Sequence, residues 1–243
     1  MYERPDVPKD NPNRNKVAAV VLLVVAVALA LLVSTLWRLA NSSSALGSHE
    51  VSDALASATV QEGGAQALAD AAGATVTGDE VETVLFVIVP DSSSTDLSGL
   101  YVASIDSTQG AAKLTSLAPE AQLALDSGIA SLHEVYASQG LGGLAGGIAS
   151  TCAVPMDHAV TMTQAGWDAF LQTAAGGSSA LASHATELLG GIVSSDLDAT
   201  GLLDIAKRAV SLGLSASDVA NVGATEDGQL DAAALARTVG VIA

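Results

Sequence analysis

The chain has 243 residues, of which 49% are hydrophobic, 14% charged and only 3% aromatic, so its interior must be built largely from Ala, Val and Leu. The net charge of -17 repels phosphate backbones and argues against nucleic acid as a partner. The single cysteine, Cys152, cannot form an internal disulfide, and we expect it to be a small buried hydrophobe.

An uncharged apolar run near the N-terminus is the first predicted element. The 21 residues 17–37, at about 1.5 Å per residue, are long enough to span the roughly 30 Å hydrocarbon core of a bilayer. The run exceeds the core of a signal peptide and ends in Trp37 and Arg38 instead of a small-residue cleavage site. It therefore predicts an uncleaved transmembrane helix, with a cleaved signal or a buried helix of a soluble protein as the alternatives.

The charges on the two sides of this run predict its orientation. Four of the nine Lys and Arg residues precede it, whereas only three of the 26 Asp and Glu residues do. Because cations stay on the cytoplasmic side, we expect residues 1–16 to form a cytoplasmic tail and the C-terminal part to be extracytoplasmic. The chain is thus predicted to be a single-pass protein of the cell membrane.

Residues 38–80 predict a juxtamembrane stalk followed by a loose helical segment. The stretch Asn41–Ser48 is rich in Ser and offers no apolar face to bury. From Val51 to Ala72, small residues recur at helical spacing and lead into a stretch interrupted by glycines. We expect a flexible connection that ends in a loosely packed helix.

Residues 81–243 predict one folded domain in which strands alternate with helices. The apolar run Val84–Val89 is typical of a strand buried on both faces, and further strands are predicted at Leu100–Ile105, Lys113–Leu117 and His158–Thr163. Apolar residues at helical spacing predict helices over 132–136, 141–148, 165–173, 181–192, 202–210 and 230–239. We therefore expect an α/β fold, a single sheet covered by helices in α/β/α layers.

The candidate site residues are Asp91 and Asp96, on the Ser-rich loop after the first strand. Open α/β sheets place ligands at the carboxyl ends of their strands, so both carboxylates are candidate Mg²⁺ ligands and catalytic groups. The alternative is that each caps a turn by accepting hydrogen bonds from backbone N–H groups. The glycine-rich stretch 140–145 matches a dinucleotide-binding motif in letters only, and it favours a helix packed closely on a neighbour.

Three stretches of the domain resemble the LytR-CpsA-Psr family of the bacterial cell envelope. The first stretch is VLFVIVPDSSSTDLSGLYVASIDSTQGAAKLTSLAPEAQL, the second is LHEVYASQG from Leu132, and the third is VPMDHAVTMTQAGWDAFLQTA from Val154. Members of this family move glycopolymers from an undecaprenyl-pyrophosphate carrier onto the cell wall, and they hold the pyrophosphate and Mg²⁺ with arginines and aspartates. The resemblance implies a polyprenyl lipid carrier or other envelope proteins as partners.

The sequence departs from the family pattern at the positions where the chemistry is expected. Ser93 stands where the family has an arginine after the first strand. The family's Arg-x-Asp before the second strand falls on Asp96 and Ser98. The family's Pro-Arg-Asp after the third strand falls on Ala118, Pro119 and Glu120. Beyond Arg38 the chain offers only four cations, Lys113, Lys207, Arg208 and Arg237, and the middle two are expected on a solvated helix face.

These features lead to three hypotheses about function. The first is a membrane-anchored, non-catalytic relative of the glycopolymer transferases that binds a lipid tail or a partner. The second is an active Mg²⁺-dependent phosphotransferase that uses Asp91 and Asp96. The third is a purely structural stalk or adhesin domain.

Overall fold

The computed structural model describes residues 46–57, 60, 63–125 and 128–243. The predicted cytoplasmic tail, the transmembrane helix at 17–37 and most of the stalk lie outside the described residues, and they stay predictions. Among the helices that are described, none is both long and apolar enough to cross a bilayer.

Helices and strands alternate along the described chain. In chain order they are α1 (His49–Ser57), α2 (Gly64–Ala71), β1 (Val81–Val89), β2 (Gly99–Asp106), β3 (Ala111–Leu117), β4 (Gln122–Leu125), β5 (Gly128–Ser131), α3 (Leu132–Cys152), β6 (His158–Thr163), α4 (Gln164–Ala174), α5 (Ser178–Ser183), α6 (Ala185–Leu189), β7 (Ile192–Ser195), α7 (Ala199–Ser211), β8 (Val219–Val222) and α8 (Ala232–Val239).

A mixed sheet forms the centre of the fold, with strand order β7-β6-β1-β2-β3-β8. β1 lies parallel to β6 and antiparallel to β2, β3 is antiparallel to β2, and β8 is parallel to β3. The predicted α/β class is thus confirmed as a central sheet flanked by helices. The prediction of a single sheet is wrong, because β4 and β5 form a separate two-stranded sheet.

Alternating residues of β1 enter two hydrophobic cores, one on each face of the sheet. Leu85, Val87 and Val89 pack with α1, α3 and α8 in what we call the first core. Val84 and Ile88 pack with α4 and α7 in the second core. Because both faces are covered, the strand reads as a continuous apolar run in the sequence.

The predicted strands at 84–89, 100–105, 113–117 and 158–163 all lie within β1, β2, β3 and β6. The prediction of one helix over 181–192 is wrong at its end. That region forms the short helices α5 and α6, and Ile192 opens β7. The chain turns at Gly190 and Gly191, where the ideal Cβ position of Gly191 lies only 2.5 Å from Gly166 Cα. A helix continued past that point would lose this close approach.

The glycine-rich stretch packs as expected. α3 is one helix interrupted at Gly140, which has a φ of 68°, so the two predicted apolar stripes fall on either side of a kink. The ideal Cβ position of Gly142 lies 2.2 Å from Ala54 Cβ of α1, which shows how closely the two helices approach. In the segment expected to form a loose helix, α1 packs on the domain and buries Val51 and Leu55 in the first core.

Candidate functional site

The loop after β1 carries Asp91 in a tight turn. Asp91 Oδ1 accepts hydrogen bonds from Ser93 N at 2.8 Å and from Ser93 Oγ at 2.6 Å. These two bonds lower the pKa of the exposed Asp91 carboxyl, which therefore stays ionised. Asp91 therefore caps the turn, which is the alternative role suggested by the sequence. Its Oδ1 is occupied by the hydrogen bonds from Ser93.

Asp96 lies further along the same loop and faces the start of α3. Its Oδ1 is 3.9 Å from His133 Nε2, and its backbone N–H donates to Ser94 Oγ at 3.0 Å. Across the described residues, no three His, Cys, Asp or Glu side chains come close enough together to hold a metal ion. The assignment of Asp91 and Asp96 as Mg²⁺ ligands stays a prediction.

Two loops meet at the carboxyl end of β1, which we call the Asp91 edge. Strand register places Gly99, at the start of β2, opposite Ile88, and Ser116, near the end of β3, opposite Tyr101. The loop that joins β1 to β2 and the loop that follows β3 therefore meet at this edge. They are the loops whose sequences depart from the LytR-CpsA-Psr pattern, and their acidic residues are Asp91, Asp96 and Glu120.

The lysines and arginines of the described chain lie toward the opposite end of the sheet. Arg208 of α7 forms an ion pair with Glu82, the second residue of β1. Lys113 is paired in register with Ser104, which in turn faces Thr83 near the same end of β1. Arg208 is 46% exposed, as expected for a residue of a solvated face, and its ion pair also links α7 to the sheet.

The positions of the other two described cations, Arg237 and Lys207, follow from a hydrogen bond and from the helices that carry them. Arg237 donates a hydrogen bond from Nη2 to Ala72 O at 2.8 Å. It lies on α8, whose C-cap residue Gly240 approaches Val81 at the start of β1. Lys207 directly precedes Arg208 on α7. Glu82 lies seven residues before Val89 on an extended strand, so its ion pair with Arg208 is separated from the Asp91 edge by roughly 20 Å.

An apolar cavity lies between the sheet and the helices of the second core. The cavity has a volume of about 70 Å³, measured as the space open to the centre of a water-sized sphere. The sheet contributes alternate residues of β1, β2 and β6, and α4 to α7 contribute the opposite wall; the lining residues are Val84, Phe86, Ala103, Ile105, Val160, Met162, Phe170, Leu181, Ala185, Leu188, Leu189, Ile192, Leu202, Leu203, Ile205, Ala206, Ala209 and Leu214. Every lining side chain is apolar, so the cavity suits a hydrocarbon ligand.

An aromatic cluster packs beside this cavity. The ring centroids of Phe86 and Trp167 are 5.2 Å apart, and those of Trp167 and Phe170 are 5.6 Å apart. The ring of Tyr101 also stacks on that of Trp167, with centroids 4.8 Å apart. Because Phe86 and Phe170 also line the cavity, the environment of Trp167 depends on what the cavity contains.

A second polar cluster, which the sequence did not reveal, surrounds His158 at the start of β6. His158 Nδ1 is 2.7 Å from Asp196 Oδ2, and its Nε2 is 3.4 Å from Glu82 Oε1. Asp196 Oδ1 also accepts a hydrogen bond from Ala159 N at 2.9 Å. These residues are too far apart in the sequence to form a recognisable motif. Only His158 had been singled out, as part of the stretch from Val154 that resembles the LytR-CpsA-Psr family.

Comparison with known proteins adds resemblances of fold only. No protein-family model and no curated protein matches the sequence. Solved structures similar to this one include Bacillus subtilis TagV, with a TM-score of 0.49 and 11% identity over 67% of this chain and 96% of TagV. TagT bound to LI-WTA has a TM-score of 0.44 and 10% identity over 60% of this chain and 79% of TagT. TagV and TagT are both LytR-CpsA-Psr proteins.

Other solved structures align over different shares of their length. A transcriptional regulator from Enterococcus faecalis has a TM-score of 0.47 and 14% identity over 66% of this chain and 85% of its own. For a protein of Streptococcus agalactiae the TM-score is 0.34 and the identity 17%, and the match spans 40% of this chain but only 38% of that protein. With all of these TM-scores below 0.5, the comparisons do not assign the chain to a family.

Proposed function

We propose that this protein is a membrane-anchored, extracytoplasmic relative of the LytR-CpsA-Psr proteins that binds the hydrocarbon tail of a polyprenyl lipid and does not transfer glycopolymer. The observation that carries the proposal is a wholly apolar cavity in a domain whose described cations lie away from the Asp91 edge. The anchoring rests on the uncharged run at 17–37.

The cavity accounts for the binding half of the proposal. Burying a methylene group contributes about 0.8 kcal/mol, so two isoprene units, with about ten carbons, would contribute roughly 8 kcal/mol before the costs of ordering. An uncharged lipid tail needs no polar partner along its length. The absence of polar side chains among the lining residues therefore supports a hydrocarbon occupant.

The positions of the charges support the proposal that the protein does not transfer glycopolymer. Cleavage of a pyrophosphate develops negative charge that must be stabilised by cations aimed at the reacting atoms. At the Asp91 edge the two loops bring carboxylates instead, and Arg208 is already paired with Glu82 toward the opposite end of β1. An incoming pyrophosphate would meet repulsion at this edge.

One observation favours an active Mg²⁺-dependent phosphotransferase as the second candidate. Asp91 and Asp96 are exposed on one loop, and the hydrogen bonds from Ser93 lower the pKa of Asp91. Ionised, accessible carboxylates are ligands that Mg²⁺ accepts, and a bound ion would offset part of the repulsion. In that case Mg²⁺ would have to supply most of the positive charge.

The experiment uses the full chain in nanodiscs with Trp37→Phe, which leaves Trp167 as the only tryptophan. Polyprenol and polyprenyl pyrophosphate are added separately, with and without Mg²⁺. Trp167 emission reports binding, and released phosphate reports turnover. Binding of both lipids without phosphate release is the expected result. Mg²⁺-dependent phosphate release would establish the phosphotransferase instead, and no binding of either lipid would favour a structural role.

A matched pair of variants on α7 locates the bound lipid. Ala206→Phe places a phenyl ring in the cavity wall, so it is expected to weaken binding at least tenfold by filling space needed for about two methylene groups. Ser211→Phe adds the same ring at an exposed position of the same helix and should leave binding unchanged. Equal affinities for the two variants would place the lipid elsewhere.

A further inference from the structure

The ring of His158 faces a carboxylate oxygen with each of its nitrogens. Asp196 Oδ2 lies 2.7 Å from Nδ1, and Glu82 Oε1 lies 3.4 Å from Nε2. A neutral imidazole has one N–H and one lone pair, whereas the imidazolium has two N–H groups. The arrangement therefore complements the protonated ring, and in the neutral ring one nitrogen lone pair would face a carboxylate.

The other charged groups around His158 make the cluster negative. Asp157, which precedes it, accepts hydrogen bonds at Oδ2 from Thr83 N at 2.8 Å and Thr83 Oγ1 at 3.1 Å. Glu82 is paired on its far side with Arg208 of α7. The cluster thus contains three carboxylates and one arginine, and a proton on His158 reduces the excess negative charge. Helix α1 packs against β6 and carries His49, Glu50 and Asp53, none of which is paired with His158 among the described contacts.

Asp196 lies between the two residues that bind the segment before α1. Its two neighbours in sequence accept hydrogen bonds from that segment: Ser48 N donates to Ser195 O at 2.8 Å, and Gly47 N donates to Leu197 O at 2.9 Å. The side chain of Asp196, only 8% exposed, is held between the His158 ring and Ala159 N. The position of the acceptor carbonyls therefore depends on the contact between Asp196 and His158.

We propose that His158 is a pH-dependent latch: its protonated ring holds Asp196 and thereby keeps residues 46–48 bound along β7, and its deprotonation loosens this juxtamembrane segment. Residues 46–48 directly precede α1 and connect the domain to the predicted membrane helix. The latch would make the attachment of the domain to its anchor respond to the acidity outside the cell, whether or not the cavity binds a lipid.

The sign of the pH dependence follows from the contacts of the ring. The hydrogen bond to Asp196 raises the pKa of His158, and the charges of Asp196, Glu82 and Asp157 add to this against the opposing effect of burial. A raised pKa means that the latch is fully engaged below the ordinary histidine pKa of 6.5 and is lost as the pH rises through the value in the folded protein. The segment is expected to be held more firmly in acid.

Hydrogen exchange by mass spectrometry on the full chain in nanodiscs tests the latch between pH 5.5 and 8.5, with rates corrected for the intrinsic pH dependence of exchange. Protection of peptides that contain Gly47 and Ser48 should fall with rising pH. The largest possible fall in protection is about tenfold for each pH unit by which the pKa of His158 is higher when the segment is bound than when it is released. His158→Gln, which cannot titrate, should show a flat profile.

His184→Gln is the matched control, because His184 Nδ1 also faces a carboxylate, that of Glu187 at 3.3 Å, but at an exposed site on another part of the chain. It should keep the wild-type profile. Asp196→Asn retains a carbonyl oxygen but removes the charge, so the transition should move to lower pH; it also provides a test if His158→Gln fails to fold. A wild-type profile that is flat, or that persists unchanged in His158→Gln or Asp196→Asn, would overturn the proposal.

Discussion

Cys152 shows how its surroundings set the chemistry of a single side chain. It lies at the end of α3, fully buried in the first core. Burial, with a smaller contribution from the negative charge of Asp231, raises the pKa of its thiol to about 12. The expectation of a small buried hydrophobe is confirmed, and the structure adds a reason for the residue to be inert.

Cys152 should therefore resist alkylation in the folded protein. At pH 8 the thiolate fraction is lower than that of an ordinary thiol by roughly three orders of magnitude, and only the thiolate reacts. Iodoacetamide labelling followed by intact mass should show almost no modification in buffer and complete modification in urea. Rapid labelling of the folded chain would mean that the end of α3 opens readily.

Ser131 is a residue whose role is local. It caps α3, where Glu134 N donates to Ser131 Oγ at 3.2 Å and Ser131 N donates to Glu134 Oε2 at 2.8 Å. Ser131→Ala removes the side-chain acceptor and should lower the free energy of unfolding by about 1 kcal/mol in urea denaturation. Ser138→Ala, in the interior of the same helix, should change it by less than about 0.5 kcal/mol. Equal losses would show that the cap contributes nothing of its own.

At the scale of elements, the packing of α1 on α3 depends on one position without a side chain. A Cβ atom at Gly142 would lie 2.2 Å from Ala54 Cβ, too close for the helices to keep their separation. Gly142→Ala should thus displace α1, despite the gain in intrinsic helix propensity of about 1 kcal/mol. Increased hydrogen exchange across 49–57, with the central strands unchanged, is the expected sign.

A double variant separates the close contact from other effects of the substitution. Ala54→Gly removes the methyl group that Gly142→Ala would strike, so the destabilisation by Gly142→Ala should shrink in the Ala54→Gly background. The four free energies of unfolding form a double-mutant cycle with a coupling of about 1 kcal/mol or more. Additive effects would show that the two positions do not meet.

Long elements could be predicted from the sequence, whereas short ones could not. β1 has nine residues and a continuous apolar run, and α7 has a clear apolar stripe. The four-residue strands β4, β5, β7 and β8 carry too few apolar positions for a period of two to stand out. Their pairing is set by tertiary contacts, as when the Ile192–Ser195 strand joins the edge of β6.

The same division applies to the candidate site. The loop with Asp91 and Asp96 could be placed at a strand end, because it directly follows an evident strand. The Glu82, His158, Asp196 and Arg208 cluster could not be anticipated, since Arg208 lies 126 residues from its partner Glu82. Such a cluster forms only when folding brings four separate segments of the chain together.

For the whole molecule, the excess of negative charge is the dominant electrostatic feature. The full chain carries a net charge of -17, and its few described cations do not offset the acidic surface. Like charges in a compact domain repel, and salt screens them as the Debye length falls from about 30 Å at 0.01 M to about 10 Å at 0.1 M. The domain should therefore be more stable in moderate salt than at low ionic strength.

This predicts a rise of a few degrees in the melting temperature of the full chain in zwitterionic nanodiscs between about 0.01 and 0.3 M NaCl. Thermal unfolding followed by Trp167 fluorescence in the Trp37→Phe chain measures it. Sorbitol at equal concentrations screens no charge and serves as the control. A melting temperature that stays constant or falls with NaCl would indicate that favourable ion pairs outweigh the repulsion.

β7 is an outer strand of the sheet, and an outer strand exposes unpaired amides and carbonyls that can recruit another chain. Here the carbonyl of Ser195 is already occupied by Ser48 N, from the segment leading toward the predicted anchor. That segment therefore also covers part of this edge of the sheet. Copies of the chain would be kept from pairing through β7 for as long as this segment stays in place.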